Sequence, residues 1–507
     1  MTRENVKNFY NLIEFSSNFS KKDIFLESSD EDKYSLSYLQ LFNLLNHVKA
    51  FLNAYGLKER SCIGVMLPND ITTALLFLHI PALNYIFVPI NPKMTSKEIE
   101  YICIDAEINF VITLEGLRRN LPKNIKSVGI PLGSNWIKEL LAYAPISLDS
   151  LDEIDENEIA EIVYTSGTTG NPKGVELSHK NLISNSKGIS ESFSFAKDDK
   201  FLTITPLFHN SGQLFTTLAP IWTGSKSIPV RPEIALGGFW DLVIKNEITW
   251  TLGMGSHINF LLSQPHKETQ NFLHNLKGIL TGGMKLEEKK RKMFEEKFTT
   301  RVFITYGLTE TTSFATCENS LEESSPGSVG KPMKVNKIRI NSNAESGEGE
   351  ILIKGENVFS RYHKLETLTQ ERKENGWLKT GDIGYFDSKG NLFITDRIDN
   401  MIIVSGENIY PAEIEQHSSL LDDLYEFIVI GVDHPIKGIE VSMIYTLKRD
   451  KVSNFNKWSK ILSTVLANYK IPTRYIDIED LGYQEIPKAS NGKILRSKVK
   501  EITNKLL

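Results

Sequence analysis

Cysteine is scarce. Cys62, Cys103 and Cys317 are the only three in 507 residues, and they lie far apart. That excludes a disulfide framework and a cysteine metal cluster, and it fits a reducing cytoplasm. A basic excess is missing as well. The net charge is −5, whereas a nucleic-acid binder shows a positive surplus on at least one domain. The N-terminal "MTRENVKNFYNLIEFSSNFS" lacks the continuous apolar stretch of a secretory signal. No uninterrupted apolar run is long enough to span a bilayer. The nearest, Ala74 to Ile90, is broken by His79, Pro81, Asn84 and Pro89. It reads as a buried helix ending near Pro81, then a short buried strand from Ile86 to Ile90. There is no repeat of fixed period and no long low-complexity tract.

What remains is an alternation of short β-rich runs with helical patterns. "RSCIGVML" (Arg60–Leu67) and "INFVIT" (Ile108–Thr113) read as buried strands. "SYLQLFNLLNHVKAFLNAYG" repeats apolar residues at helical spacing, with Gly56 placed to end the helix. "SKEIEYICIDA" reads as another helix, with Ser96 as its N-cap. This alternation predicts layered α/β architecture. Leu321–Pro332 and Asn341–Glu350 are rich in turn formers and read as hairpin loops. Asp396–Pro411 is the domain-boundary candidate, which leaves a tail within the usual size of a small domain.

One loop stands out. "YTSGTTGNPKG" (Tyr164–Gly174) packs three glycines, four aliphatic hydroxyls and a lysine between two apolar runs. "EIAEIVY" before it and "GVELS" after it read as strands joined by the loop at a sheet edge, and Ser178 can cap the helix that follows. Glycines let backbone N–H groups converge on an anion, hydroxyls add donors, and Lys173 adds positive charge. A nucleotide polyphosphate suits such a loop. The P-loop pattern does not fit it. Pro172 precedes Lys173, Gly174 follows it, and a strand rather than a helix comes next.

"YTSGTTGNPKGV" resembles the phosphate-binding signature of the acyl-adenylate-forming superfamily of acyl-CoA synthetases, peptide-synthetase adenylation domains and luciferases. Further stretches match in order over nearly the whole chain. The resemblance implies that Thr165, Ser166, Gly167, Thr168, Thr169, Gly170 and Lys173 hold ATP phosphates. In "LTGGMKL", Gly282, Gly283 and Met284 would wall the adenine slot. In "TYGLTE", Tyr306 would stack on adenine, Thr309 would donate to the α-phosphate, and Glu310 would hold Mg²⁺. In "WLKTGDIGYFDSKGNLFITDR", Asp382 would accept from the ribose hydroxyls and Arg397 would add a fork of donors. In "PKASNGKILRSK", Lys493 would be the catalytic cation and a further ATP contact. His209 of "PLFHNSGQL" would gate acyl and thiol access.

The implied fold is a large N-terminal domain, 1–398, of layered sheets and helices. A small mobile α+β domain, 399–507, carries Lys493. The implied reaction is ATP-dependent activation of a carboxylic acid to an acyl-adenylate, then thioester formation. Coenzyme A is the expected thiol, and a phosphopantetheine carrier protein is the alternative. "GQLFTTLAPIWTG" holds no Asp to pair with a substrate ammonium, which argues against an amino-acid substrate. Gly238–Leu262 is expected to add helical, apolar pocket wall. Two positions depart from the family pattern. The hinge reads "DRIDN", with Asp399 and Asn400, and Ser405 replaces a glycine in "SGEN". Both bear on the thioester step. Partners are therefore a small-molecule acid, ATP and a thiol, with no nucleic acid and no integral membrane span.

Overall fold

The computed structural model describes residues 3–29, 34–148, 151–165, 172–264, 274–283, 286–318, 325–342, 347–404, 407–434, 438–489, 492 and 494–506. By packing, the chain forms two compact units. One comprises Met1–Ile338 with Ile353–Leu378, the other Arg339–Leu352 with Lys379–Leu507.

The first unit holds two large sheets, both mainly parallel. Among the described residues, one is seven-stranded and runs Arg361–Tyr362, Lys173–Ser178, Ile159–Thr165, Ile86–Pro89, Cys62–Met66, Phe110–Thr113, Lys126–Gly129. The other is nine-stranded. Its parallel centre includes Lys200–Thr203, Trp250–Leu252, Gly278–Thr281 and Arg301–Tyr306. Parallel strands need helical crossovers that cover both faces, so they read as continuous apolar runs. Cys62–Met66 and Phe110–Thr113 fit that rule, with every residue buried except Cys62, which is half-buried.

Local chemistry sets the helix ends. Helix Tyr38–Ala54 begins in a capping box between Ser37 and Gln40, and Gly56 follows its end with φ +73°. Helix Ser96–Asp105 is capped by Thr95, not by the expected Ser96. Thr95 Oγ1 accepts from the Glu98 N–H while the Glu98 carboxylate accepts from the Thr95 N–H. The reciprocal pair needs a Glu three residues on, and only Thr95 has one. The broken apolar run forms helix Ile71–Ala82, buried throughout, and strand Ile86–Pro89. Gly238–Leu262 is less helical than expected. Its two helices flank Trp250–Leu252, a strand of the large sheet. Thr316–Cys317 and Lys331–Pro332 pair antiparallel across one of the turn-rich segments. Among the described residues, no helix is long and apolar enough to cross a membrane.

Two histidines lie fully buried in this unit. Burial pushes His79 and His179 down to about 3. Both pKa values lie below their unfolded value, so the unfolded chain binds more protons as pH falls from 6.5 toward 3. Stability is then lost over that window, at up to about 1.4 kcal/mol per pH unit for each histidine. Urea midpoints measured from pH 7 to 5 should fall steeply for the native protein and less steeply for His79→Leu. Equal slopes would show that His79 does not contribute.

The second unit is α+β. Leu424–His434 and Gly438–Leu447 pair antiparallel, and Arg474–Asp477 joins in parallel. Successive side chains alternate faces. Phe427 and Val429 pack with Trp458 and Leu462, whereas Ile428, Ile430 and Val432 pack with Val499 and Ile502 of helix Arg496–Leu506. A hairpin of Trp377–Phe386, which enters this unit at Lys379, and Leu392–Arg397 precedes them.

Candidate active site

Strands Ile159–Thr165 and Lys173–Ser178 form an antiparallel hairpin, with Tyr164 opposite Gly174 and Thr165 opposite Lys173. Thr165 and Lys173 are half-buried at its mouth, and Thr165 Oγ1 donates to the Lys173 carbonyl at 3.5 Å. Ser166, Gly167, Thr168, Thr169 and Gly170 lie outside the described residues, as do Met284, Ser405 and Lys493. The hairpin is one strand in from the expected sheet edge, because Arg361–Tyr362 pairs with Val175 and Glu176. Ser178 and Asn181 make the capping box that starts helix His179–Ser192.

The parallel strands Gly278–Thr281 and Arg301–Tyr306 end side by side, and ligand sites in α/β sheets gather at such carboxyl ends. Gly282 packs against the backbone of Thr305. A Cβ there would lie 2.6 Å from Thr305 Oγ1 and 2.8 Å from its carbonyl oxygen. Gly283 follows with φ +74°. Tyr306 closes the neighbouring strand, buried. At Gly307 a Cβ would lie 1.8 Å from the Ser313 carbonyl oxygen, so only glycine allows the chain to turn back so tightly.

That turn carries Thr309 and Glu310 in a single 3₁₀ turn, Thr309–Thr311. Both are half-buried. The Tyr362 hydroxyl donates to Glu310 Oε1 at 2.6 Å, and the Phe359 N–H donates to the Glu310 carbonyl at 2.8 Å. Thr312 holds φ +67°, an unusual conformation for a β-branched residue. Its hydroxyl donates to the Asn357 carbonyl at 2.6 Å. Asn357, fully buried, donates in turn to the carbonyls of Thr311 at 3.0 Å and Phe314 at 3.1 Å. Asn185 donates to the same Phe314 carbonyl at 2.7 Å. These two buried amides over-determine the strained turn and keep Thr309 and Glu310 in place.

His209 stands half-buried at the start of helix Asn210–Gln213, with its ring centroid 4.7 Å from that of Phe208. Burial pushes it down to about 4, so its imidazole is neutral at physiological pH. Asn69 anchors the segment before it. Its amide donates to the carbonyls of Thr203 at 3.2 Å and Thr205 at 3.0 Å, and its oxygen accepts the Leu207 N–H at 2.8 Å. Asn69, Asn185 and Asn357 were not anticipated from sequence. Each bonds to residues distant in the chain, so no local pattern marks it.

In the second unit, Asp382 and Arg397 face each other across the hairpin. Arg397 Nε lies 3.2 Å from Asp382 Oδ1, and the Asp382 carboxylate is buried. The structure thus brings together the two residues expected at the ribose. Asn400, one of the hinge departures, donates to Asp396 Oδ1 at 3.0 Å, while Asp399 is exposed. Gly492 has φ +80°, and the Leu495 N–H donates to the Pro487 carbonyl at 2.9 Å.

Among the described residues, no group of three or more His, Cys, Asp or Glu side chains could hold a metal ion. Glu310 stands as a single carboxylate, oriented by Tyr362. That donor set fits Mg²⁺, which takes one or two protein carboxylates and completes its shell with phosphate and water oxygens.

Residues 15–363 match the family model described as AMP-binding enzyme. The long-chain-fatty-acid–CoA ligase of Bacillus subtilis is 29% identical over 500 residues, covering 89% of this chain and 87% of that protein. The 2-succinylbenzoate–CoA ligase of Bacillus cereus is 28% identical over 482 residues, covering 94% and 95%. The crystal structure of ATP-bound MatB from Rhodopseudomonas palustris superposes with a TM-score of 0.87 at 24% identity, covering 98% of this chain and 99% of that one.

Proposed function

The chain belongs to the AMP-binding enzyme family, and from that premise we infer that it is an AMP-forming acid–CoA ligase. It uses ATP to convert a carboxylic acid to an acyl-adenylate, then passes the acyl group to the thiol of coenzyme A. The single observation that carries this reading is end-to-end similarity to CoA ligases that act on different acids. The reaction is shared among them and the acid is not.

In the first step a carboxylate oxygen attacks the α-phosphorus and pyrophosphate leaves. A carboxylate is a poor electrophile, and the mixed anhydride with AMP makes its carbonyl reactive. In the second step the thiol adds to that carbonyl, loses its proton, and expels AMP. Tyr306, Gly282, Gly283 and Met284 bound the adenine, and Asp382 and Arg397 serve the ribose. Thr165, Ser166, Gly167, Thr168, Thr169, Gly170 and Lys173 hold phosphate oxygens, and Thr309 donates to the α-phosphate. Glu310 is the ligand for Mg²⁺, which when bound offsets charge on the triphosphate. Lys493 supplies the cation that opposes repulsion between carboxylate and phosphate. His209, neutral by burial, lines the acyl and thiol path as a wall rather than as a charge. Residues 399–507 move as a lid, and closure keeps water from the adenylate. Three unpaired cysteines support a cytoplasmic location.

The test is acid-dependent exchange of labelled pyrophosphate into ATP over short, medium, long and aromatic acids, followed by CoA consumption with the best acid. Exchange with at least one acid, and equal yields of AMP and thioester, are expected. No exchange with any acid overturns the ligase reading. Exchange with thioester formed only on a phosphopantetheinylated carrier overturns the coenzyme A assignment.

A further inference from the structure

Glu161 is fully buried in strand Ile159–Thr165, four residues ahead of Thr165 at the mouth of the phosphate-loop hairpin. Its Oε1 accepts from Gln213 Nε2 at 2.8 Å, and its Oε2 lies 3.3 Å from Asn210 Nδ2. Gln213 Nε2 also donates to the Leu207 carbonyl at 2.8 Å, and the Gln213 N–H donates to the His209 carbonyl at 3.3 Å. The carboxyl therefore grips the helical turn that follows His209, and Gln213 ties that turn back to Leu207 on the other side. An apolar side chain would fill this space without the cost of burying an acid, which makes the choice of glutamate informative.

The surroundings explain the form the acid takes. On the adjoining strands Glu161 is level with Phe87 and Leu177, both apolar. The nearest acid on the hairpin, Glu176, is level with Ile162 and so lies on the opposite face of the sheet. Among the described residues, the polar groups that meet Glu161 are the amides of Asn210 and Gln213, and the neighbouring His209 is neutral. Burial without a cation pushes the Glu161 carboxyl up to about 8, so it is protonated at neutral pH. The Asn210 amide accepts its proton when turned to present oxygen, while Gln213 keeps its Nε2 toward Leu207.

We propose that Glu161 is a positioning residue that locks the His209 segment onto the strand leading into the phosphate-binding loop. The acyl and thiol side of the site and its phosphate side are thereby held in one register by a single hydrogen-bonded clamp. The inference rests on the ligase reading for what His209 gates, while the clamp itself rests on geometry alone.

The experiment compares native enzyme, Glu161→Gln and Glu161→Ala in pyrophosphate exchange and thioester formation from pH 6 to 9.5. Ala removes both acceptors and leaves two buried amides unmatched. It should lower kcat/KM for acid and for coenzyme A by about ten- to a hundredfold, with a much smaller change in KM for ATP. Gln keeps an acceptor for Gln213 and should recover most of that loss at neutral pH. Ionised Glu161 still accepts both amide donors, so the Gln rescue should hold from pH 6 to 9.5. Equal losses for ATP, acid and thiol in the Ala variant overturn the proposal, as does a Gln variant that loses as much as Ala. Should Ala not fold, Glu161→Leu, which keeps the volume without the acceptors, takes its place in the same comparison. A native enzyme that turns over no acid sinks the ligase reading instead, and the two failures are thereby distinct.

Discussion

Replacing Lys493 with alanine is expected to cut acid-dependent pyrophosphate exchange by about a hundred- to a thousandfold, the usual worth of one group aimed at developing charge. The argument is electrostatic. A carboxylate must approach an α-phosphate that is itself anionic, and negative charge grows on the departing pyrophosphate. One cation in a water-poor site offsets much of that repulsion. The loss should fall on kcat, because ground-state ATP keeps its contacts with the glycine- and hydroxyl-rich loop. The flanking fold should survive, since the Gly492 to Ala489 and Leu495 to Pro487 hydrogen bonds are backbone bonds that do not use the side chain at 493. Arginine at 493 should recover little despite its charge, because a planar fork does not reproduce a compact ammonium. Thioester formation from a supplied acyl-adenylate should be far less affected, because pyrophosphate has already left. Exchange within a few-fold of native would mean that the opposing charge comes from elsewhere.

The second large effect is on stability. Arg291, in helix Glu288–Phe298, and Glu318 form a buried bidentate pair, at 2.9 and 2.8 Å. Glu318 Oε2 also accepts the Ile304 N–H at 2.8 Å, and the Glu318 N–H donates to the Ile304 carbonyl at 3.1 Å. The pair thus pins a helix and the returning chain to the strand that ends in Tyr306. Arg291→Met leaves a buried carboxylate without its bidentate partner, and should destabilise the first unit by about 3–5 kcal/mol. Urea unfolding followed by tryptophan fluorescence reads this as a lower midpoint. Because the cost comes from the orphaned charge, adding Glu318→Leu should restore most of it. A double variant no better than Arg291→Met would show that packing, not charge, sets the penalty.

Much of the first unit was legible because its signals are local. The hairpin around the phosphate loop, the cap at Ser178, Gly56 after its helix, and the broken run at Pro81 each follow from a few adjacent residues. Tyr306 and Gly307 were legible as a motif, and the structure supplies the reason Gly307 must be glycine. Other features depend on partners far apart in the chain and leave no periodic trace. Asn357 meets Thr311 and Phe314, Asn69 meets the chain leaving two separate strands, and Arg291 finds Glu318. The second compact unit gathers Arg339–Leu352 and the Asp382–Arg397 hairpin beside the tail. Composition at 396–411 marks where a chain can bend, and says nothing of which earlier segments pack together. At Thr95 the miss was smaller. The cap follows from its partner three residues on, and reading the serine alone overlooks that partner.

Tyr362 ties two charges to one piece of backbone. Its strand lies against Val175, two residues beyond Lys173, while its hydroxyl grips Glu310. Lys173 and Glu310, the basic and acidic residues proposed to serve the triphosphate, are therefore yoked through a two-residue β-rung. Under the roles proposed for them, a displacement of either residue by phosphate passes to the other through backbone pairing and a single hydrogen bond, so the two form one lever.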